Sequence, residues 1–252
     1  MREDFTLEKK RYLELAKKSY MSGIYTFTDF LGLGEQSAFF EIQRELSGIP
    51  YTLFGGTDGC ERVMVRFGSE ELCGYDQPYP ITTLICTPVA EKFAEKLTHR
   101  DYLGAILNLG IDRSVLGDII ITDEGTYIFV KDGMADFICD GLSRIRRTSV
   151  RCRVSDTLPE GALYKTKEIR VQAVGERIDA IVAKVFSLSR DESATLFSRG
   201  LVFISGRLCE SVSHKLKYGD IISVRGHGRF VFRGVDSHTR KGKLNIIIEQ
   251  YV

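Results

Sequence analysis

The sequence predicts an α+β protein of several domains, and three observations lead to that fold class. Residues 82–154 alternate strand-like and helix-like runs in the order β-α-β-β-α-β. A helix pair followed by strands is predicted after residue 170. The turn-forming stretch Asp156-Thr157-Leu158-Pro159-Glu160-Gly161 separates the two regions as a linker. We therefore expect a small N-terminal α/β domain at 1–76, a middle domain at 77–158 and a C-terminal domain at 165–252.

The composition excludes several classes of protein. The 252 residues are 43% hydrophobic and 27% charged, which argues against long disorder, collagen and coiled coil. Apolar runs such as Ile119-Ile120-Ile121 are much shorter than the roughly 18 residues of a membrane span. The first residues are charged and lack the apolar run of a signal peptide. We expect a cytoplasmic protein without membrane contact.

Charge is distributed unevenly along the chain. Residues 1–160 contain 19 Lys and Arg against 25 Asp and Glu, a net charge of −6, whereas residues 161–252 contain 16 against 9, a net charge of +7. A basic region of this kind is typical of phosphate contact, the alternative being a solvated surface. The acidic part contains a second candidate RNA patch, formed by five arginines: Arg144, Arg146, Arg147, Arg151 and Arg153.

The first segment is predicted to contain helices at 5–20 and 35–47 and a strand at 63–67. Apolar spacing places Tyr12, Ala16 and Tyr20 on one face of the first helix, and Phe39, Ile42 and Leu46 on one face of the second. The glycine-rich loop 55–59 resembles a phosphate cradle but lacks the Lys-Ser/Thr of a P-loop. We interpret it as a turn.

The middle segment is predicted to contain six elements: strand 82–87, helix 98–109, strand 118–122, strand 127–131, helix 133–144 and strand 148–154. Thr98 and Asp101 have the spacing of a helix start. The element order is the framework of RNA-recognition modules, in which exposed strand aromatics stack on bases. Tyr127 and Phe129 share one strand face, but the surrounding sequence matches the RNP1 pattern poorly, which favours a core role for both rings.

The basic segment combines helix signals with regularly placed arginines. A helix is predicted at 176–185, and Ser189 with Glu192 forms a capping-box pattern at the start of a second helix. Gly200 is expected to end that helix, before a strand at 201–204 and a turn at Ser205-Gly206. Four arginines then fall at successive helix and turn ends: Arg177, Arg190, Arg199 and Arg207.

This segment resembles the S4 RNA-binding domain, whose landmarks are R-L-D, S-R, G-x-V-x-V-N-G and G-D-x-I. The matching residues are Arg177-Ile178-Asp179, Leu188-Ser189-Arg190, Arg199-Gly200-Leu201-Val202-Phe203-Ile204-Ser205-Gly206 and Gly219-Asp220-Ile221-Ile222. The resemblance implies RNA contact by Arg177, Ser189, Arg190, Arg199 and Arg207, with Lys215, Arg225 and Arg229 extending the phosphate footprint. Arginine forks and helix N-termini suit phosphate groups. The sequence departs from the pattern at Asp191 and Glu192, where relatives carry a small and a basic or polar residue, and at Ser205, where relatives carry Asn.

The whole chain resembles the bacterial YlmH family, in which a small N-terminal domain and a β-α-β-β-α-β domain precede an S4 domain. Similar stretches are Phe27-Thr28-Asp29-Phe30-Leu31, residues 99–111 beginning His99-Arg100-Asp101, and residues 224–230. The resemblance implies a non-catalytic factor that binds rRNA and tRNA on large ribosomal subunits obstructed by peptidyl-tRNA. It also implies support for C-terminal tailing of the stalled chain in ribosome quality control.

Two other functions remain as alternatives. An RNA-modifying enzyme would use the carboxylates Asp101 and Asp118, with His99-Arg100-Asp101 as a candidate catalytic cluster. A DNA-binding regulator would insert the helix after Ser189 into the major groove. Asp191 and Glu192 at that helix start argue against the second. The six cysteines and four histidines lack metal-ligand spacing, so we expect no metal, cofactor or small-molecule substrate. The basic loop at 238–243 offers Lys241 and Lys243 as further RNA contacts, or is simply exposed.

Overall fold

The computed structural model describes residues 4–158, 164–239 and 242–252. Contacts divide them into two compact units, one formed by residues 5–158 and one by Tyr164–Val252. The end of the expected linker, residues 159–161, and the expected RNA contact Lys241 lie outside the described residues. The chain is thus a mixed α/β protein of several sheets, as the sequence predicts.

The N-terminal part of the first unit is a three-stranded antiparallel sheet with helices beside it. Its strands run in the order β1-β3-β2, and its elements are α1 (Thr6–Ser22), β1 (Thr26–Phe27), α2 (Leu33–Glu41), β2 (Tyr51–Phe54), β3 (Met64–Phe67) and α3 (Glu70–Cys73).

Two helix predictions in this part need correction. The second helix ends at Glu41, and a separate 3₁₀ turn, Gln43–Leu46, brings Leu46 to the core. The α-helical ladder stops because Ile42 has left α geometry, with ψ near 4°. In α1 the buried stripe continues from Ala16 to Ser19, whereas Tyr20 is exposed. A spacing of seven residues, not eight, matches two helical turns.

The middle part follows the predicted β-α-β-β-α-β order. Its elements are β4 (Ile81–Pro88), α4 (His99–Leu107), β5 (Leu116–Ile121), β6 (Thr126–Lys131), α5 (Ala135–Gly141), β7 (Arg144–Ile145) and β8 (Thr148–Val154). The antiparallel sheet has the strand order β5-β6-β4-β8-β7. Thr98 and Asp101 form the predicted capping box of α4. The helix expected at 133–144 is shorter, because Arg144–Ile145 pairs with Thr148–Ser149 in a hairpin instead.

The two parts of this unit are joined by close packing. A Cβ on Gly56 would lie 2.2 Å from the Phe129 ring, and one on Gly117 would lie 2.7 Å from Phe30. The glycine-rich loop is therefore a turn that approaches β6 closely, in agreement with our interpretation. Phe129 is fully buried. The N-terminal part covers the sheet face around this ring.

A polar network reinforces this junction. The Arg62 guanidinium donates hydrogen bonds to the carbonyl oxygens of Leu116, Phe30 and Arg113, at 2.8, 2.9 and 3.1 Å. The Asp118 carboxylate accepts hydrogen bonds from the backbone N–H groups of Glu61 and Arg62 at 2.6 and 3.0 Å. Burial lowers the pKa of Arg62, and it lowers the pKa of Arg113 to about 10. These charged side chains therefore hold the two parts of the unit together.

The second unit packs two helices against a six-stranded antiparallel sheet of order β11-β10-β12-β13-β14-β9. Its elements are β9 (Thr166–Ala173), α6 (Ile178–Val185), α7 (Arg190–Ser198), β10 (Val202–Ile204), β11 (Arg207–Leu208), β12 (Ile221–Val224), β13 (Gly228–His238) and β14 (Leu244–Tyr251). The buried Ser193 hydroxyl donates a hydrogen bond to the Asp179 carbonyl oxygen at 2.8 Å. That bond fixes α7 against α6.

Three cysteines that are distant in sequence meet in the middle domain. Cys86 and Cys152 are buried cross-strand partners on β4 and β8. The Cys152 thiol is hydrogen-bonded to Cys86 and to Cys139. Burial raises the pKa of Cys139 to about 11, and the hydrogen bond with Cys86 raises that of Cys152. The thiols of Cys139 and Cys152 are therefore protonated and poorly reactive. Across the described ranges, no His, Cys, Asp and Glu side chains gather as a metal site. No described helix combines the length and apolar character needed to cross a bilayer.

Candidate nucleic-acid interface

Helix α7 presents an arginine at each of its ends. Arg190 is its first residue and Arg199 its C-cap, and both are exposed. They lie nine residues apart, roughly 13 Å along the axis and on opposite flanks of the helix. The Ser189 N–H donates to the Glu192 carboxylate at 2.7 Å, and the Glu192 N–H donates to Ser189 Oγ at 3.2 Å. The predicted capping box is confirmed, and these hydrogen bonds hold the pKa of Glu192 below its usual range.

The turn between β12 and β13 adjoins both ends of α7. The Arg225 N–H donates to the Leu201 carbonyl oxygen at 2.9 Å, just beyond the C-terminus of α7. On the other side, the His227 ring lies 5.7 Å from the ring of Phe186, in the loop before α7. The electrostatic interaction with His227 also lowers the pKa of Glu192. The fold thus brings residues 225–227 beside both ends of α7.

Aromatic rings orient two arginines of this turn. The Arg225 guanidinium lies 5.1 Å from the centroid of the buried Phe203 ring. The Arg229 guanidinium lies 4.2 Å from the Tyr164 ring and 4.0 Å from the Tyr251 ring. Such cation–π contacts restrict the conformations of each side chain. Phe203 and Arg229 alternate with Val202 and Phe230, which pack on the helices, so the Arg225 and Arg229 guanidinium groups lie on the sheet face opposite α7. We call Arg190 and Arg199 the α7 surface.

Three predicted contacts lie elsewhere in the unit. Arg177 forms a bidentate ion pair with the buried Asp179, with N–O distances of 3.0 and 3.1 Å. The bond to Asp179 raises the pKa of Arg177. Arg177 therefore has a structural partner, a role that its sequence position alone did not indicate. Lys215 pairs with Arg177 through the backbone, and Arg207 follows the far end of β10. Both are exposed.

The turn at Ser205-Gly206 has both residues at positive φ, 47° and 80°. It is a two-residue hairpin loop in which Asn-Gly is the preferred pair. We expect Ser205→Asn to raise the free energy of unfolding of this unit by roughly 0.5 kcal/mol. Urea titration measures the change. Ser205→Ala is the control, because alanine tolerates this backbone region poorly, and a Ser205→Asn protein less stable than wild type would contradict the expectation.

The five arginines of the middle domain are all exposed but do not form one patch. Arg151 and Arg153 alternate along β8 with the buried Val150 and Cys152, so they project from the sheet face opposite the helices. Arg144 and Arg146 line a cleft of about 460 Å³ on the helix side, together with Arg100. The run of arginines in the sequence does not show that the side chains divide between two faces, because the division depends on the hairpin of β7 and β8. Arg147 lies in the turn of that hairpin.

The residues considered for catalysis have structural partners. The Asp101 carboxylate accepts hydrogen bonds from Thr98 N and Thr98 Oγ1 at 2.9 and 2.7 Å, and those bonds lower its pKa. Asp118 binds two backbone N–H groups at the junction described above. Burial lowers the pKa of His99, which neighbours Arg113. Tyr127 and Phe129 are 4% and 0% exposed, which confirms that they are core residues and not a base platform.

Comparison with known proteins adds evidence on the class of protein. Residues 79–158 match a family model described as "Putative RNA-binding domain in YlmH". The middle part of the first unit is thus similar to that domain.

The chain is also similar to named proteins over most of its length. It is 27% identical over 224 residues to the "Ribosome-associated protein quality control protein P2" of Bacillus subtilis (strain 168), which covers 88% of this chain and 86% of that one. A solved structure, "Cell division protein ylmH from Streptococcus pneumoniae", aligns with a TM-score of 0.45 and 25% identity, covering 62% of this chain and 95% of the other. The resemblance to the YlmH family that the sequence predicts is confirmed by the family match and the Bacillus relative.

Proposed function

We propose that the protein is a non-catalytic factor that binds rRNA and tRNA on the large ribosomal subunit and acts in quality control of stalled peptidyl-tRNA complexes. The observation that carries the proposal is the α7 surface, where an exposed arginine stands at each end of one helix. Arginine forks of this kind suit phosphate groups of structured RNA. The name of the Bacillus relative supports the ribosomal setting.

The proposal includes the domain assignment made from the sequence. The strand order β5-β6-β4-β8 and the helices after β4 and β6 support an RRM-like middle domain at 77–158. The helix pair, the Ser205-Gly206 turn and the arginines of α7 support an S4-type domain at 165–252. In this proposal Arg190 and Arg199 contact different phosphates, Arg225, Arg229, Arg207 and Lys215 extend the footprint, and Arg177 acts by positioning α6.

Matched RNA and DNA probes test the class of ligand. Fluorescence anisotropy would compare a labelled helical-junction fragment of large-subunit rRNA with a DNA duplex of equal length at one salt concentration. We expect the RNA to bind at least tenfold more tightly, with an affinity that falls as salt rises. Asp191 and Glu192 disfavour the DNA groove at the N-terminus of α7. Equal or tighter binding of the DNA would overturn the proposal.

A further inference from the structure

A cleft on the helix side of the middle domain concentrates positive charge. It has a volume of about 460 Å³ and lies between α4, the end of α5 and the β7–β8 hairpin. Three arginines line it, Arg100, Arg144 and Arg146, against one carboxylate, that of Asp101. That carboxylate already accepts two hydrogen bonds from Thr98 and lies 3.6 Å from the Arg146 guanidinium. The cleft is therefore a concave site for an anion.

The arginines are held at the cleft by their own backbone. Arg144 Nε donates a hydrogen bond to the Arg146 carbonyl oxygen at 3.0 Å. Arg146 has a φ of 52°, in the left-handed region that few residues other than glycine adopt. Residues 146–147 form the two-residue loop of the β7–β8 hairpin, a turn that requires this backbone region. The hairpin thereby presents both guanidinium groups at the cleft.

The floor of the cleft contains a glycine that the fold does not need. Gly104 lies in the middle of α4, where glycine is a poor helix former. A Cβ there would meet nothing within 4 Å, and its φ is not positive, so neither packing nor backbone geometry excludes a side chain. The missing side chain instead leaves room for a ligand to approach the helix backbone between Arg100 and Asn108.

An exposed aromatic ring adjoins the cleft. Phe137 is 50% exposed on α5, one helical turn before Gly141, which lines the cleft. Residues four apart share a helix face, so Phe137 and Gly141 lie on the same side of α5. The sheet face that binds bases in RNA-recognition modules is covered here at Phe129. An anion site next to an exposed ring suits a nucleotide, whose phosphate and base need the two chemistries.

We propose that this arginine cleft binds a phosphate group of an unpaired RNA segment, with the adjoining base stacked on Phe137. The inference rests on the proposed function, because it assumes an RNA-binding protein, but it assigns a contact separate from the α7 surface. Arg100, Arg144 and Arg146 bind the phosphate, and Gly104 gives it access.

Binding of a labelled 12-nucleotide single-stranded RNA of mixed sequence to the full-length protein tests the cleft. We expect Arg100→Gln/Arg144→Gln to weaken binding at least tenfold and to flatten the slope of log K against log salt by roughly 1.4. The control Lys18→Gln/Arg44→Gln removes the same charge from exposed positions of the same unit and should bind within twofold of wild type. Binding by the cleft variant within twofold of wild type would overturn the proposal.

Two variants separate binding from folding. Gly104→Leu places a good helix former in open space, so the melting temperature should stay or rise while the affinity for the single strand falls at least tenfold. Phe137→Leu should weaken binding of the single-stranded RNA about fivefold and leave binding of a labelled RNA duplex unchanged. Unchanged single-strand affinity in both variants would contradict the cleft as the site.

An Arg190→Ala/Arg199→Ala protein distinguishes the two proposals. If the Arg190→Ala/Arg199→Ala protein still binds the single-stranded RNA and the cleft variant does not, the result supports the cleft as the binding site. That conclusion holds even if the Arg190→Ala/Arg199→Ala protein fails to bind ribosomes. Single-strand binding that is lost only in the Arg190→Ala/Arg199→Ala protein overturns the cleft and leaves the proposed function standing.

Discussion

Replacing Phe129 with alanine is expected to lower the free energy of unfolding of the first unit by about 3–5 kcal/mol. The ring is fully buried, and Gly56 approaches it so closely that a Cβ would lie 2.2 Å away. Because two parts of the chain close over this ring, little can collapse into the cavity that alanine leaves. Urea titration followed by far-ultraviolet circular dichroism measures the loss. Phe93→Ala is the control, since that ring is 80% exposed and should change stability by less than about 0.5 kcal/mol.

The same position distinguishes a core ring from a base platform. Phe129→Leu keeps most of the volume, so the protein should fold and should bind the single-stranded RNA within twofold of wild type. If Phe129 stacked on bases, this variant would lose affinity without losing stability. A tenfold loss of affinity at wild-type stability would contradict the covered sheet face.

Arg62→Ala is expected to cost about 3 kcal/mol in the same unit. The substitution removes the hydrogen bonds to the carbonyl oxygens of Phe30 and Arg113, whereas the Leu116 oxygen keeps the bond from Arg113 Nη1 at 2.7 Å. Half-buried carbonyl groups without a donor carry most of the penalty. Arg62→Lys should recover little of the lost unfolding free energy, because one ammonium group cannot reproduce the guanidinium fork that reaches three oxygens. The unfolding free energy of each variant is measured by urea titration.

Arg44→Ala is the matched control for this prediction. Arg44 is exposed and lies on the 3₁₀ turn of the same unit, so its loss should change the unfolding free energy by less than about 0.5 kcal/mol. An Arg62→Ala protein as stable as the Arg44→Ala protein would show that the junction does not depend on the guanidinium.

Much of the fold could be predicted because its signals are local. The capping boxes at Thr98 and Ser189 depend on residues three positions apart, and both form where expected. The Ser205-Gly206 turn and the strand at 148–154 are equally local, and they too are found. The end of α5 could not be predicted, because Arg144–Ile145 pairs with β8 in a hairpin and does not continue the helix.

The site was harder to predict because it depends on contacts between distant residues. Sequence position placed Arg177 among the RNA contacts, but the buried Asp179 two residues later binds its guanidinium. Arg100 was considered only as part of a catalytic cluster, and only the packing of α4 against β7 shows it beside Arg144. The rings that orient Arg229 come from both ends of the unit, at Tyr164 and Tyr251.

We propose that the α7 surface attaches this protein to large ribosomal subunits. The most direct measurement is co-sedimentation of the purified protein with purified large subunits through a sucrose gradient. Wild type and the control Lys18→Ala/Arg44→Ala should travel with the subunits, whereas Arg190→Ala/Arg199→Ala should stay at the top. Co-sedimentation of the Arg190→Ala/Arg199→Ala protein to the same extent as wild type, or wild-type protein that remains at the top, would contradict the claim.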